Sequence, residues 1–113
     1  MAEKKSFKPI PPTMRGKKRY IKFRLICEGK IAERDVRGAI WGVFGQIFGD
    51  HGIAGQRLWM ANWDFEKNIG ILRCSLGPIE EVKAGLLFVR QAGGKEVIPV
   101  ILGVSGTIKS LKG

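Results

Sequence analysis

The residues that could carry chemistry are few. A single histidine, His51, stands in Gly49-Asp50-His51-Gly52. A general base needs a partner acid or a lysine clamp in reach, and the sequence names neither. A histidine in a surface loop is the better reading. Asp64 and Glu66 fall at a predicted hairpin, where they could in principle hold Mg²⁺, but solvated turn acids are the default. Cys27 and Cys74 have no CxxC spacing and no histidine partner, which argues against a metal site. Without a secretion signal they read as buried, reduced thiols of a cytoplasmic protein. The segment Ser105-Gly106-Thr107-Ile108-Lys109 has another character. Its hydroxyls, glycine and lysine can offer backbone N–H groups and a positive charge to one phosphate. The same segment can also be a turn in which Ser105 or Thr107 caps a short helix. No protein active site emerges, so catalytic residues and protein-bound metal are both expected to be none.

Charge narrows the partners. The 113 residues contain 20 Lys and Arg against 10 acids, a net +10, and the pI is near 10.1. An excess of this kind speaks of a polyanionic partner rather than of fold, and nucleic acid precedes an anionic membrane surface. Residues 1–24 hold nine of the bases (Lys4, Lys5, Lys8, Arg15, Lys17, Lys18, Arg19, Lys22 and Arg24) against one acid, Glu3. Residues 1–17 read as a basic arm with three prolines and no periodicity, and residues 18–113 as a single domain. A basic arm of this kind contacts phosphates more often than it merely solubilises. No apolar run approaches the roughly 20 residues of a membrane span, and the N-terminus does not read as a signal peptide.

The elements that must position these groups follow from periodicity. Tyr20 to Leu25 alternates, with Ile21, Phe23 and Leu25 on one face and Tyr20, Lys22 and Arg24 on the other, as in a half-buried strand. Val36, Ile40, Val43, Phe44 and Ile47 give a helical stripe over residues 33–48, with Gly49 as its stop. Leu58–Phe65 and Ile69–Leu76 read as strands joined by Glu66-Lys67-Asn68. Gly77-Pro78 opens a second helix with the stripe Ile79, Val82, Leu86 and Val89, and Gly93-Gly94 ends it. A last strand covers Val97–Leu102, and Pro99 suits a sheet edge. The order is strand, helix, strand, strand, helix, strand. That predicts an α+β fold, the ferredoxin-like or RRM-like split βαβ sandwich with a four-stranded antiparallel sheet and two main helices. In that topology the two thiols lie at opposite ends of the sheet, and no disulfide is expected.

Three motifs then carry a resemblance. Lys18-Arg19-Tyr20-Ile21 opens the first strand, Gly70-Ile71-Leu72-Arg73-Cys74 lies in the third, and Val104 to Lys109 follows the fourth. In this order and spacing the chain resembles the ribonuclease P protein component 2 family of archaea and eukaryotes, from about Arg15 to Lys109. The resemblance implies a noncatalytic subunit that supports the catalytic RNA in 5′ maturation of precursor tRNA. It also implies Mg²⁺ on the RNA, a partnership with protein component 3, and self-association. RNA contact is expected at Arg15, Lys17, Lys18, Arg19, Lys22, Arg24, Arg73, Ser105, Thr107 and Lys109. Two other readings stay open: another RNA-binding scaffold, and a small stand-alone nuclease or phosphohydrolase. The latter would use the loop Glu28-Gly29-Lys30-Ile31-Ala32-Glu33, where two acids flanking one lysine make a poor anion cradle.

Two features remain. Gly38, Gly42, Gly45 and Gly49 lie opposite the apolar stripe of the first helix, and three glycines inside a helix cost on the order of 2–3 kcal/mol relative to alanine. Close approach of a partner backbone accounts for that cost. Gly38, Trp41, Gly42, Gly45 and Phe48 are therefore candidate partner-binding residues. The far side of the sheet also holds too little polarity for an open surface. It carries either Leu58 and Met60 or Trp59 and Trp63, and a second copy, component 3 or the arm is expected to cover it. The third strand has no aromatic residue, so base stacking across the sheet is disfavoured.

Overall fold

The computed structural model describes residues 17–112, leaving Arg15 and most of the basic arm outside the described residues. The elements are β1 (Lys18–Ile26), α1 (Glu33–Gln56), β2 (Trp59–Asp64), β3 (Ile69–Ser75), α2 (Ile79–Leu86), a small hairpin of β4 (Gln91–Ala92) and β5 (Lys95–Glu96), β6 (Ile98–Ser105), and α3 (Lys109–Lys112). Four strands form one antiparallel sheet in the order β2-β3-β1-β6. This is the ferredoxin-like arrangement, with the first and third strands central. Pro99 sits on the edge strand β6, opposite Leu25, where a missing donor is tolerated.

The core lies between one sheet face and the helices. Ile21, Phe23 and Leu25 of β1, Val36, Ile40 and Phe44 of α1, and Val82 and Leu86 of α2 are all buried in it. Close packing leaves little room for a side chain at two glycines of the core. A Cβ at Gly70 would lie 2.8 Å from Trp63 Cε3 and 2.9 Å from Phe23 Cζ. One at Gly85 would lie 2.7 Å from Phe44 Cζ.

Four local expectations change. Gly49 does break the helix, with φ 72° and ψ 173°, but the chain resumes helical structure through Gln56. His51 is therefore an exposed helical residue and not a loop residue. Ile47, just before the break, is exposed rather than turned to the core, whereas Ile53 beyond it packs against the core. Gly93-Gly94 does not end α2, which stops at Leu86; both glycines have positive φ and form the turn between β4 and β5, the backbone a two-residue hairpin requires. Phe48 does not flank an outer strip. It stacks edge-on against Phe44 at 5.4 Å and reaches α2 beside Gly85.

The fourth change concerns the tryptophans. Uniform alternation in β2 would place Trp59 and Trp63 on one face. The β2–β3 register instead shifts between Met60 and Asn62, and the extra residue of the bulge reverses the faces beyond it. Met60 and Trp63 consequently face the core, while Trp59 stays outside and is 59% exposed.

The cysteines stand apart, both as free thiols: Cys74 pairs in register with Arg19, at the far end of β1 from Cys27. Cys27 is half-buried rather than buried, and burial pushes the Cys74 thiol up to about 11. At about pH 8, a thiol reagent should label Cys27 in the native protein and Cys74 only after denaturant is added. The folded state holds the Cys74 proton more tightly than the unfolded chain, so stability should fall as pH rises through the ordinary thiol range towards 11. Equal labelling of both thiols without denaturant would contradict this packing.

The glycines give a second prediction. Gly42 lies in helical backbone with nothing within 4 Å of an added Cβ, so Gly42→Ala should stabilise the protein by up to about 1 kcal/mol. Gly85→Ala should instead cost about 1–3 kcal/mol through overpacking against Phe44. Thermal denaturation of the two variants should shift the melting temperature in opposite directions.

Candidate nucleic-acid interface

Opposed residues of an antiparallel pair share a face, so the register writes out the outer sheet surface in rows. The first row runs Trp59, Arg73, Tyr20, Ser105; the second Asn62, Ile71, Lys22, Gly103; the third Asp64, Ile69, Arg24, Val100. Lys22, Arg24 and Arg73 thus project from neighbouring strands on one surface. Among the described residues the ion pairs are Lys30–Glu66, Arg37–Glu33 and Lys83–Glu80. None of them neutralises a cation of this face. Asp64 is its one acid, and Asp64 Oδ1 accepts the backbone N–H groups of Glu66 and Lys67 in the β2–β3 turn.

The three sequence motifs meet in the first row. Tyr20 comes from the first, Arg73 from the second and Ser105 from the third. Arg73 lies over the Trp59 ring, its guanidinium carbon 5.7 Å from the centroid. Arg19 belongs to the helix-side set of β1, but its Nη1 lies 3.2 Å from the position of a Cβ on Gly106, so its guanidinium flanks the turn after β6. Lys17 and Lys18 are exposed at the start of β1.

The turn after β6 resolves into a hydroxyl cluster. Ser105 Oγ accepts the Thr107 N–H at 3.1 Å and shares a hydrogen bond with Ser110 Oγ. Thr107 Oγ1 donates to Ser110 Oγ, which in turn donates to the Thr107 carbonyl. Ser105 and Thr107 therefore shape the turn that leads into α3, at whose start Lys109 is exposed. Part of the expected cover of the sheet is α3 itself: Leu111 Cδ2 lies 3.4 Å from a Cβ position on Gly103, in the second row. Ile71 of that row is only 2% exposed although it stands outside the main core.

The other candidates have structural roles. Glu66 pairs with Lys30, and Asp64 shapes its turn. The loop between β1 and α1 is held by a residue that sequence reasoning missed, Asn68. Its Oδ1 accepts the Ile31 N–H at 3.2 Å, and its Nδ2 donates to the Gly29 carbonyl at 2.9 Å. Trp63 Nε1 donates to the Ile31 carbonyl at 2.8 Å. A phosphate loop needs free backbone donors, and the Ile31 donor is already used. The positive φ of Asn68, 55°, is the backbone state in which Asn is enriched, and an Asn closing a hairpin was the available signal. Along α1, Gly38 and Gly42 are exposed with nothing within 4 Å of an added Cβ, Gly45 would meet only Ile53 at 3.7 Å, and Trp41 is half-buried. Among the described residues there is no group of three or more His, Cys, Asp or Glu that could hold a metal, and no helix long and apolar enough to cross a membrane.

Comparison with known proteins identifies the family. Ribonuclease P protein component 2 of Archaeoglobus fulgidus is 41% identical over 105 residues, covering 93% of this chain and 94% of that protein. Its counterpart from Pyrococcus furiosus is 38% identical, covering 93% and 88%. A chain in the cryo-EM structure of yeast ribonuclease MRP shares the fold, with a TM-score of 0.66 at 13% identity, over 80% of this chain and 75% of that one. The model of the Rpp14/Pop5 family matches residues 19–113, and the chain belongs to that family.

Proposed function

We propose that this chain is a protein subunit of ribonuclease P that grips the catalytic RNA by its backbone and takes no catalytic part itself. The observation that carries the reading is the face on which Lys22, Arg24 and Arg73 stand without acidic partners among the described residues, beside the row that unites the three motifs. Its relatives at 38–41% identity over nearly the whole chain are ribonuclease P proteins. Cations without protein partners on a sheet face bind phosphates by displacing counterions, which gives affinity and orientation without sequence choice.

In this reading Lys17, Lys18, Arg19 and Lys109 extend the cationic face at the end where β1 begins and β6 finishes. Ser105 and Thr107 act by fixing the turn that presents Lys109. The Mg²⁺ ions of the reaction belong to the RNA, and the complex works in the cytoplasm. A second protein subunit, of the component 3 kind, packs on the outer glycines Gly42 and Gly45 of α1, and self-association involves the same chain.

The test replaces Lys22, Arg24 and Arg73 together by alanine. The variant should fold, because all three project from the outer face, yet stimulate precursor tRNA cleavage by the RNA subunit poorly. The slope of log affinity against log salt should fall by about 0.7–0.9 for each phosphate the variant no longer holds. An unchanged slope, or specific cleavage by the protein with Mg²⁺ and no RNA subunit, would contradict the proposal.

A further inference from the structure

The edge of the sheet at β2 and the first turns of α1 flank an open slot of about 520 Å³, lined by Glu33, Arg34, Arg37, Gly38, Trp41, Trp59 and Met60. That size falls within the roughly 300–1,000 Å³ of small-ligand sites. Two indoles, a methionine and a glycine without a side chain make the walls, and charge collects at the rim. Glu33 is engaged by Arg37 at 3.2 Å, while Arg34 makes no ion pair among the described residues. Nothing lies within 4 Å of an added Cβ on Gly38. The slot is continuous with the cationic sheet face through Trp59, which also ends the first row beside Arg73.

We infer that this slot takes a nucleobase splayed out of the RNA, stacked on Trp59 and Trp41, with the flanking phosphates held by Arg34 and Arg73. The inference rests on the RNA-binding reading above and adds a recognition mode to it. The lack of an aromatic residue in β3 argues against stacking across the sheet, but the β2 bulge leaves Trp59 outside at the sheet edge, where the third strand's composition is irrelevant. An unstacked base offers two apolar π-faces and a flanking negative charge. Aromatic walls with guanidinium groups at the rim complement both. An apolar side chain of a partner protein would use the walls and leave Arg34 without a counter-charge, which makes it the poorer occupant.

The test compares two single-stranded RNA oligomers of equal length, one of adenosines and one with abasic positions, so that phosphates match and bases differ. The wild-type protein should bind the adenosine oligomer about tenfold more tightly, the worth of one stacked base. Gly38→Leu, which intrudes into the slot, and Trp59→Ala, which removes a wall, should each abolish that preference. Both should leave the salt slope unchanged, and circular dichroism should show them folded. Equal binding of the two oligomers by the wild type would overturn the slot and leave the phosphate reading standing, whereas failure to bind either oligomer would overturn both. If Gly38→Leu kept the preference but no longer bound the protein partner, the slot would be a protein-docking site and the inference would be wrong.

Discussion

The register of β1 between β3 and β6 is the constraint on which the rest depends. Ile21, Phe23 and Leu25 are wholly or almost wholly buried under the helices, and a slip of one residue would turn every side chain of the strand to the opposite face. Lys22 and Arg24 would then be driven into the core, where unpaired charge is prohibitive. The same register sets Tyr20 between Arg73 and Ser105. Core packing and assembly of the outer face are therefore one event, and three segments far apart in sequence meet because apolar residues on the other side of the strand must be buried.

The charge distribution follows a consistent division. The acids at the ion pairs and turns are already engaged: Glu66 by Lys30, Glu33 by Arg37, Glu80 by Lys83, and Asp64 by backbone amides of a turn. The cations of the sheet face have no such partner among the described residues. An exposed ion pair adds little stability, so leaving these cations without partners costs the fold little and keeps them available to phosphate. Asn68 and Trp63 meanwhile close the β1–α1 loop through hydrogen bonds to its backbone. The loop that could have become an anion site is thus sealed, and binding falls to the sheet face and the turn after β6.

Most of the architecture is legible in the sequence because burial writes period 2 into β1 and a helical period into α1 and α2, and because Pro99 betrays an edge. What is not legible depends on backbone events without a compositional signature. The β2 bulge sends Trp59 and Trp63 to opposite faces, which no alternation rule anticipates. Gly49 signals a break, but nothing in the sequence shows that the helix resumes beyond it through Gln56 and carries His51 out of its expected loop. Gly93-Gly94 resembles a helix stop since helix ends and tight hairpins both require positive φ. In the site, the cations are legible from charge clustering, whereas their arrangement in rows, and the convergence of Arg19 on the Ser105 turn, need the register.

The central claim is that the RNA backbone lies on the outer face of the sheet. Amide chemical-shift mapping tests it directly, by titrating the ribonuclease P RNA's catalytic domain into isotope-labelled protein. Perturbation is expected at Tyr20, Lys22 and Arg24 of β1, at Ile71 and Arg73 of β3, and from Ser105 to Lys109, with the exposed side of α2 around Glu80 and Lys83 unaffected. Perturbation centred on α2, with these sheet amides unmoved, would contradict it.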